Sequence, residues 1–241
     1  MARLGAMSNL VELNLDDNQL CCSGEGLGQQ TGQCEAGNPT GAESGMLFEG
    51  FGSGLPRVTL LGLNANGIDS LPASMGELQS LTFLDLSRNR LQELPAPLVR
   101  LRCLATLHLK DNVIQSLPAD LSGLESLSTL DLGTNLLEDL PAETLVTLSP
   151  SLIYLDLSHN HISMLHPEVG ELASLVDLVL SHNSLRELPI ELAEIASLQK
   201  LHVDGNPLMH LPPALRPMVG DETELSMQLS TSLFGDEDGA P

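Results

Sequence analysis

The sequence contains no tryptophan, and aromatic residues make up only 2% of its 241 residues. Aliphatic side chains must therefore fill any core. Lysine and arginine total 10 against 32 acidic residues, giving a formal charge of −22. Phosphate groups attract bases, so this deficit argues against nucleic acid and against anionic membrane surfaces as ligands. No apolar run is long enough to insert into a bilayer, and the first residues lack the apolar stretch of a secretory signal.

Motifs of catalytic and cofactor sites are also missing. The four cysteines, Cys21, Cys22, Cys34 and Cys103, show no paired spacing, which favours a reducing compartment. There is no GxxxxGK and no HExxH. The glycine-rich stretch at 24–28 stops short of the dinucleotide-binding pattern because Gln29 stands where a glycine is needed. We therefore predict neither an enzyme nor a bound cofactor.

What the sequence does contain is an asparagine at an almost constant interval. The steps are 23 residues, with one step of 25, along Asn66, Asn89, Asn112, Asn135, Asn160, Asn183 and Asn206, and Asn18 stands in the same pattern upstream. Each asparagine closes a phrase such as LTFLDLSRN (81–89) or LIYLDLSHN (152–160). A fixed period of this length predicts a stack of identical supersecondary units.

The residues of one repeat explain why the copies must stack. Leu84 and Leu86 flank Asp85, so on a short strand the leucines point inward and the aspartate points outward. One repeat cannot bury its leucines alone, whereas stacked repeats form a continuous core. The asparagine amide is predicted to be buried where the chain turns off the strand, satisfying backbone groups there. A proline such as Pro95 then disfavours regular sheet on the return segment.

The phrase LxxLxLxxN followed by xLxxLP resembles the leucine-rich repeat family, above all its 23-residue intracellular kind in Ras-pathway scaffolds and in Scribble- and Erbin-like proteins. The resemblance implies an α/β solenoid of about eight repeats, with a parallel β-sheet on the concave face and irregular or short helical turns on the convex face. It also implies a non-enzymatic scaffold that binds a protein partner, in signalling or complex assembly. A cytoplasmic location is expected, because the cysteine-rich caps usual in extracellular members are not found.

Two other functions remain open at this point. The repeats could be the substrate-recognition or regulatory subunit of a larger enzyme complex, such as a ubiquitin ligase, kinase or phosphatase. They could also belong to a secreted or pathogen-recognition receptor.

The spacing divides the chain into four segments. Residues 1–20 hold a first repeat with no polar cap before it, which predicts either a missing upstream segment or a self-sufficient first repeat. Residues 21–54 exceed the period and contain ten glycines in 34 residues, so a flexible insertion is predicted, either functionless or a docking loop. Residues 55–216 hold the other repeats and a C-terminal cap. The acidic segment 217–241 is predicted to be disordered.

The outward face of the sheet is where a partner would bind. One column of this face contains two of the chain's five phenylalanine and tyrosine rings, and five of its ten bases fall between residues 88 and 110. Aromatic and arginine side chains dominate interface energetics. We therefore predict a partner site that matches an apolar group beside a carboxylate, formed by Phe83, Arg88, His108, Lys110 and Tyr154. Ordinary variation among exposed positions is the alternative.

Two further columns invite chemical interpretations. His159 and His182 occupy equivalent positions in adjacent repeats and should lie about 5 Å apart. Zinc requires three or four converging ligands, so ordinary surface histidines are favoured over a metal site. Asp85, Asp131 and Asp156 share the mid-strand position, and a charged, solvated face is favoured over catalytic carboxylates.

Overall fold

The structure is a computed structural model that describes residues 7–18, 20, 54–148 and 150–219. Its eight strands form one open parallel sheet in sequence order. The strands are β1 (Glu12–Asn14), β2 (Leu60–Gly62), β3 (Phe83–Asp85), β4 (Thr106–His108), β5 (Thr129–Asp131), β6 (Tyr154–Asp156), β7 (Asp177–Val179) and β8 (Lys200–His202). This arrangement confirms the solenoid of about eight repeats.

Each strand has three residues, and its central residue faces the core. In β3, Leu84 is fully buried, while Phe83 and Asp85 are half-buried on the outward face. Neighbouring strands pair in register, so equivalent leucines such as Leu84 and Leu107 lie side by side. Among the described residues, the buried apolar side chains are leucine, isoleucine, valine and methionine. The core therefore contains no ring, as the composition predicts.

The return segments on the convex side contain short helical turns, as predicted. Five are 3-10 turns: Ala73–Glu77, Ala96–Arg100, Pro167–Glu171, Ile190–Glu194 and Pro213–Leu215. The sixth is a helix, α1, at Ala142–Thr147. Most begin directly after a proline, which has no amide hydrogen and so leaves no backbone donor to be satisfied there. Gly123 is required in its return segment, because a Cβ atom there would collide with the carbonyl oxygen of Val99.

The first strand pairs directly with the second despite the long separation in sequence. Glu12 lies opposite Leu60, and the amide of Gly67 donates to the carbonyl of Leu20 at 2.8 Å. The register between the first two strands is therefore continuous although the predicted insertion at 21–54 separates them in sequence. Apart from Gly54, that segment lies outside the described residues, as does the tail from 220 onward.

The other end of the sheet is covered by the last turn of the chain. Leu215 is fully buried, and Leu211 and Met218 pack against the core. Residues 217–219 therefore belong to this cap, although they fall in the segment predicted to be disordered. The carbonyl of Met218 accepts a hydrogen bond from the amide of Leu201 in β8 at 3.1 Å. A backbone donor on the edge strand therefore finds a partner inside the chain, which is one way proteins protect a sheet edge.

Candidate functional site

The predicted asparagine ladder holds the turn at the end of each strand. The Nδ2 of Asn135 donates to the carbonyls of Leu109, Leu132 and Gly133 at 3.0, 3.0 and 3.3 Å, and its Oδ1 accepts from the amide of Ile114 at 3.0 Å. The links between rungs run through backbone carbonyls, since Leu109 also accepts from the next asparagine upstream.

Burial of the ladder is not uniform, and the prediction was wrong at one end. Asn89 and the later asparagines are buried, but Asn66 is half-buried and Asn18 is exposed. The reason is that Asn18 belongs to the first described rung, where the side chains of β1 are themselves only partly covered.

A second periodic feature, missed from the sequence, immediately precedes the ladder. The residue before each asparagine has a positive φ between 53° and 67°: Asp17, Ala65, Arg88, Asp111, Thr134, His159, His182 and Gly205. From Ala65 to His182, each of these residues donates its amide to a carbonyl of the next rung, as Thr134 does to Ser158 at 2.8 Å. We call Arg88, Asp111, Thr134, His159 and His182 the turn row. The frequent Asp, His and Gly at this position could have predicted the positive φ, because these residues tolerate it better than most others.

On the concave face, one column of five adjacent strands carries no charge. This ridge consists of Leu60, Phe83, Thr106, Thr129 and Tyr154, which are paired in register from β2 to β6. Leu60 is exposed, and the other four are half-buried. Parallel strands are about 4.8 Å apart, so the ridge is about 19 Å long and its two rings are about 14 Å apart. Phe83 and Tyr154 therefore lie towards opposite ends of one surface.

The ring of Phe83 is held in place by a histidine of the next strand. The two rings of Phe83 and His108 meet edge to face, with centroids 5.4 Å apart and an interplanar angle of 80°. Such pairs stabilise by about 0.5–1.5 kcal/mol beyond burial. The structure thus brings together two of the five predicted site residues, and it presents Phe83 in a fixed orientation beside the exposed Leu60.

The mid-strand aspartates form a row beside the ridge, and the prediction that they are simply solvated was wrong. Asp85, Asp131 and Asp156 each accept a hydrogen bond from the amide two residues later, at 2.9, 3.0 and 2.8 Å. Asp156 is buried. Burial also raises the pKa of Asp131. These three residues, which we call the carboxylate row, close the turn after their strands, and the signal was the motif Asp-Leu-Ser or Asp-Leu-Gly.

Tyr154 lies within this acidic environment. Its hydroxyl donates to Oδ2 of Asp156 at 3.3 Å. Burial, reinforced by the charges of Asp156 and Asp131, raises the pKa of Tyr154 to about 12. The hydroxyl therefore stays protonated at neutral pH and remains a donor to the carboxylate. One ring face at this end of the ridge is thus flanked by fixed negative charge.

The five bases between residues 88 and 110 do not all lie on the concave face. Lys110 is exposed near the carboxylate row, where its charge opposes the rise in the pKa of Asp131. Arg88 stands in the turn row, one column further from the ridge than Lys110. Arg100 belongs to a convex 3-10 turn, and Arg102 forms an exposed ion pair with Glu125 at 3.2 Å. Arg88 and Lys110 remain neighbours on adjacent rungs, since the amide of Arg88 donates to the carbonyl of Lys110 at 2.8 Å.

The two histidines of adjacent repeats are neighbours, as predicted, and their rings stack. The rings of His159 and His182 have centroids 4.3 Å apart and an interplanar angle of 17°. His182 also lies 3.6 Å from Oδ2 of Asp204. Within the part of the chain that the structure describes, no group of three or more ligating side chains converges to hold a metal ion.

Sequence comparison assigns this architecture to a family. One model, described as a leucine-rich repeat region, matches residues 54–139, and a second, described as a leucine rich repeat, matches residues 150–208. The chain is a leucine-rich repeat protein. The matches give the family without choosing the Ras-pathway or Scribble-type subgroup. Curated protein sequences gave no match.

Solved leucine-rich repeat structures superpose on the chain. A leucine-rich repeat protein of Leptospira interrogans is 35% identical, with a TM-score of 0.64 over 68% of this chain and 41% of the other. The plant peptide hormone receptor RGFR1, solved in complex with RGF2, is 33% identical, with a TM-score of 0.60 over 68% and 27%. An internalin of Listeria monocytogenes is 23% identical, with a TM-score of 0.60 over 70% and 48%, a likeness of fold alone. The chain spans less than half of each of these relatives.

Leucine-rich repeat domains are in general non-enzymatic modules that bind proteins, so the family supports a protein-interaction role for this chain. In the described ranges, no helix combines the length and the apolar character needed to cross a bilayer.

Proposed function

We propose that this protein is an intracellular scaffold that binds a protein partner on its concave face, in signalling or complex assembly. The observation that carries the proposal is the uncharged ridge, because it places two rings and an exposed leucine on one face of the sheet. A preformed surface loses little conformational entropy on binding. The 33% identical plant receptor was solved in complex with RGF2, which supports the use of such repeats for recognition.

The anchors of this interface would be Phe83, held by His108, and Tyr154, held by Asp156. Arg88 and Lys110 would contact the partner from the margin of the ridge, where their exposed charges would steer orientation more than affinity. Truncating a true anchor costs at least about 2 kcal/mol of binding free energy, which is roughly thirtyfold in Kd.

The test compares two double variants of matched chemistry. Proteins captured by wild type from cell extract are identified, purified and titrated against Phe83→Ala/Tyr154→Ala and against Val146→Ala/Ile190→Ala. The second pair removes exposed apolar side chains from the convex helical turns. We expect the concave pair to lose at least thirtyfold in affinity and the convex pair to bind as wild type, with equal far-UV circular dichroism. Full binding by the concave pair would place the interface elsewhere, and the segment 21–54 would be tested next.

A substrate-recognition subunit of an enzyme complex is the second candidate, and it uses the same surface. The relatives extend well beyond the part matched here, which leaves room for this role. Identification of the captured partner separates the two, since a ligase, kinase or phosphatase subunit would favour the second.

A further inference from the structure

The ridge ends in two chemically different environments, and the difference defines what a partner must carry. At the β2–β3 end, Leu60 and Phe83 are adjacent and Phe83 is packed against His108, which makes an apolar seat. At the β5–β6 end, Tyr154 lies beside two carboxylates, Asp131 and Asp156, whereas strands β2 and β3 contain one, Asp85. One end therefore suits an apolar side chain and the other a cation.

Geometry fixes the distance between these two seats. They are three strands apart, which is about 14 Å. An extended chain advances about 3.3 Å per residue, so two side chains four residues apart span the same distance. The Tyr154 ring can stack on a guanidinium and the half-buried Asp131 can accept hydrogen bonds from it. Asp156 is buried and hydrogen-bonded to Tyr154 and to its own turn, so it contributes its charge.

The charge of Lys110 determines where along the ridge a positively charged side chain of the partner can bind. It is exposed on β4's side of Asp131, and its charge already acts on that carboxylate. A cation of the partner is repelled there and attracted one strand further on, beside Tyr154. Specific interfaces combine an attractive contact with a repulsive one in this way.

Building on the proposed function, we infer that the partner segment is extended and carries a large apolar side chain four residues from an arginine, which lie on Phe83 and beside Tyr154 respectively. This differs from the apolar group and carboxylate that the sequence alone predicts. The reason is that the fold moves most of the bases off this face and leaves the aspartates on it.

The absence of tryptophan from the protein provides a direct assay. The probes are the capped peptides Gly-Trp-Ser-Gly-Ser-Arg-Gly and its reverse, whose tryptophan fluorescence reports binding. Two control peptides keep the length: one places tryptophan and arginine side by side, and one replaces arginine by neutral citrulline. We expect one spaced peptide to bind at least tenfold more tightly than both controls. Equal affinities, or no binding of either spaced peptide at about 1 mM, would overturn the inference.

Protein variants separate a seated arginine from general attraction to an acidic protein. Asp131→Asn/Asp156→Asn keeps an oxygen acceptor for the turn amides and removes two charges, and Glu138→Gln/Glu187→Gln removes two charges from exposed side chains off the strands. We expect the first pair to lower the affinity for the spaced peptide at least tenfold and the second pair to lower it less than twofold. Lys110→Glu should raise this affinity.

Equal losses of affinity in the two pairs of variants, or weaker peptide binding by Lys110→Glu, would refute the binding of arginine beside Tyr154. If whole partners still depend on Phe83 and Tyr154 while the peptides fail, the concave interface stands and only its charge assignment is wrong. If whole partners bind the Phe83→Ala/Tyr154→Ala variant fully, the proposed function itself fails.

Discussion

Replacing Asn135 by alanine tests the ladder that positions the whole concave face. Asn135 is 4% exposed, and its side chain serves four backbone groups. The carbonyls of Leu109 and Leu132 keep a second donor from the neighbouring asparagines, so they are not stranded by the change. The amide of the fully buried Ile114 loses its acceptor. An unpaired buried donor costs about 1–3 kcal/mol, which sets the expected loss of unfolding free energy.

Asn64→Ala is the matched control for this prediction. Asn64 is half-buried on the strand face. Its side-chain amide donates one long hydrogen bond, 3.3 Å to Oδ2 of Asp85. Its removal should change the unfolding free energy by less than about 0.5 kcal/mol. Asn135→Asp should be worse than Asn135→Ala, because a carboxylate oxygen would replace the donor that faces three carbonyls.

The assay is urea unfolding followed by far-UV circular dichroism, with the midpoint and slope compared among the four proteins. We expect the order wild type, Asn64→Ala, Asn135→Ala and Asn135→Asp, from most to least stable. Equal midpoints for Asn64→Ala and Asn135→Ala would refute the reasoning, since the count of hydrogen bonds would then not govern stability.

Four further predictions concern Thr134, Asp131 and the segments that flank the repeats. Thr134→Gly should raise the unfolding free energy by about 0.5–1 kcal/mol in thermal denaturation. A β-branched residue at φ 55° is strained by about 1–2 kcal/mol, and the greater unfolded-state entropy of glycine offsets part of the gain from relieving that strain. A lower Tm would contradict this. Asp131→Asn should stabilise the fold at pH 7 but not in acid: burial raises the folded-state pKa, so wild type loses stability as pH rises from about the unfolded value of 3.8 through the folded pKa. A gain that persists in acid would contradict the assignment. Limited proteolysis should cut first within 21–53 and 220–241, and deleting 22–46, which restores the 23-residue period, should leave the urea midpoint unchanged; a collapse on deletion would mean that the segment packs.

The fold could be predicted almost completely because a repeated local rule specifies it. Leu84 and Leu86 must be buried, one repeat cannot bury them, and stacking in register is the solution available to all copies at once. The columns of the concave face follow from the same register, so the ridge from Phe83 to Tyr154 and the stacking of His159 on His182 were accessible from the 23-residue period.

Tertiary structure alone decided which of those side chains act together. Arg88 and Lys110 belong to different repeats, yet the amide of Arg88 donates to the carbonyl of Lys110 at 2.8 Å, whereas Arg100, closer to Lys110 in sequence, lies in a convex 3-10 turn. The carboxylates of Asp131 and Asp156 look solvated in the sequence, yet neighbouring rungs cover them and their own turns bind them. Burial and charge depend on what the adjacent rung contributes at each position, and that sum is not contained in the local repeat. The sequence therefore determined the repeat architecture and its register, and the packing of adjacent repeats decided the burial and charge of the concave surface.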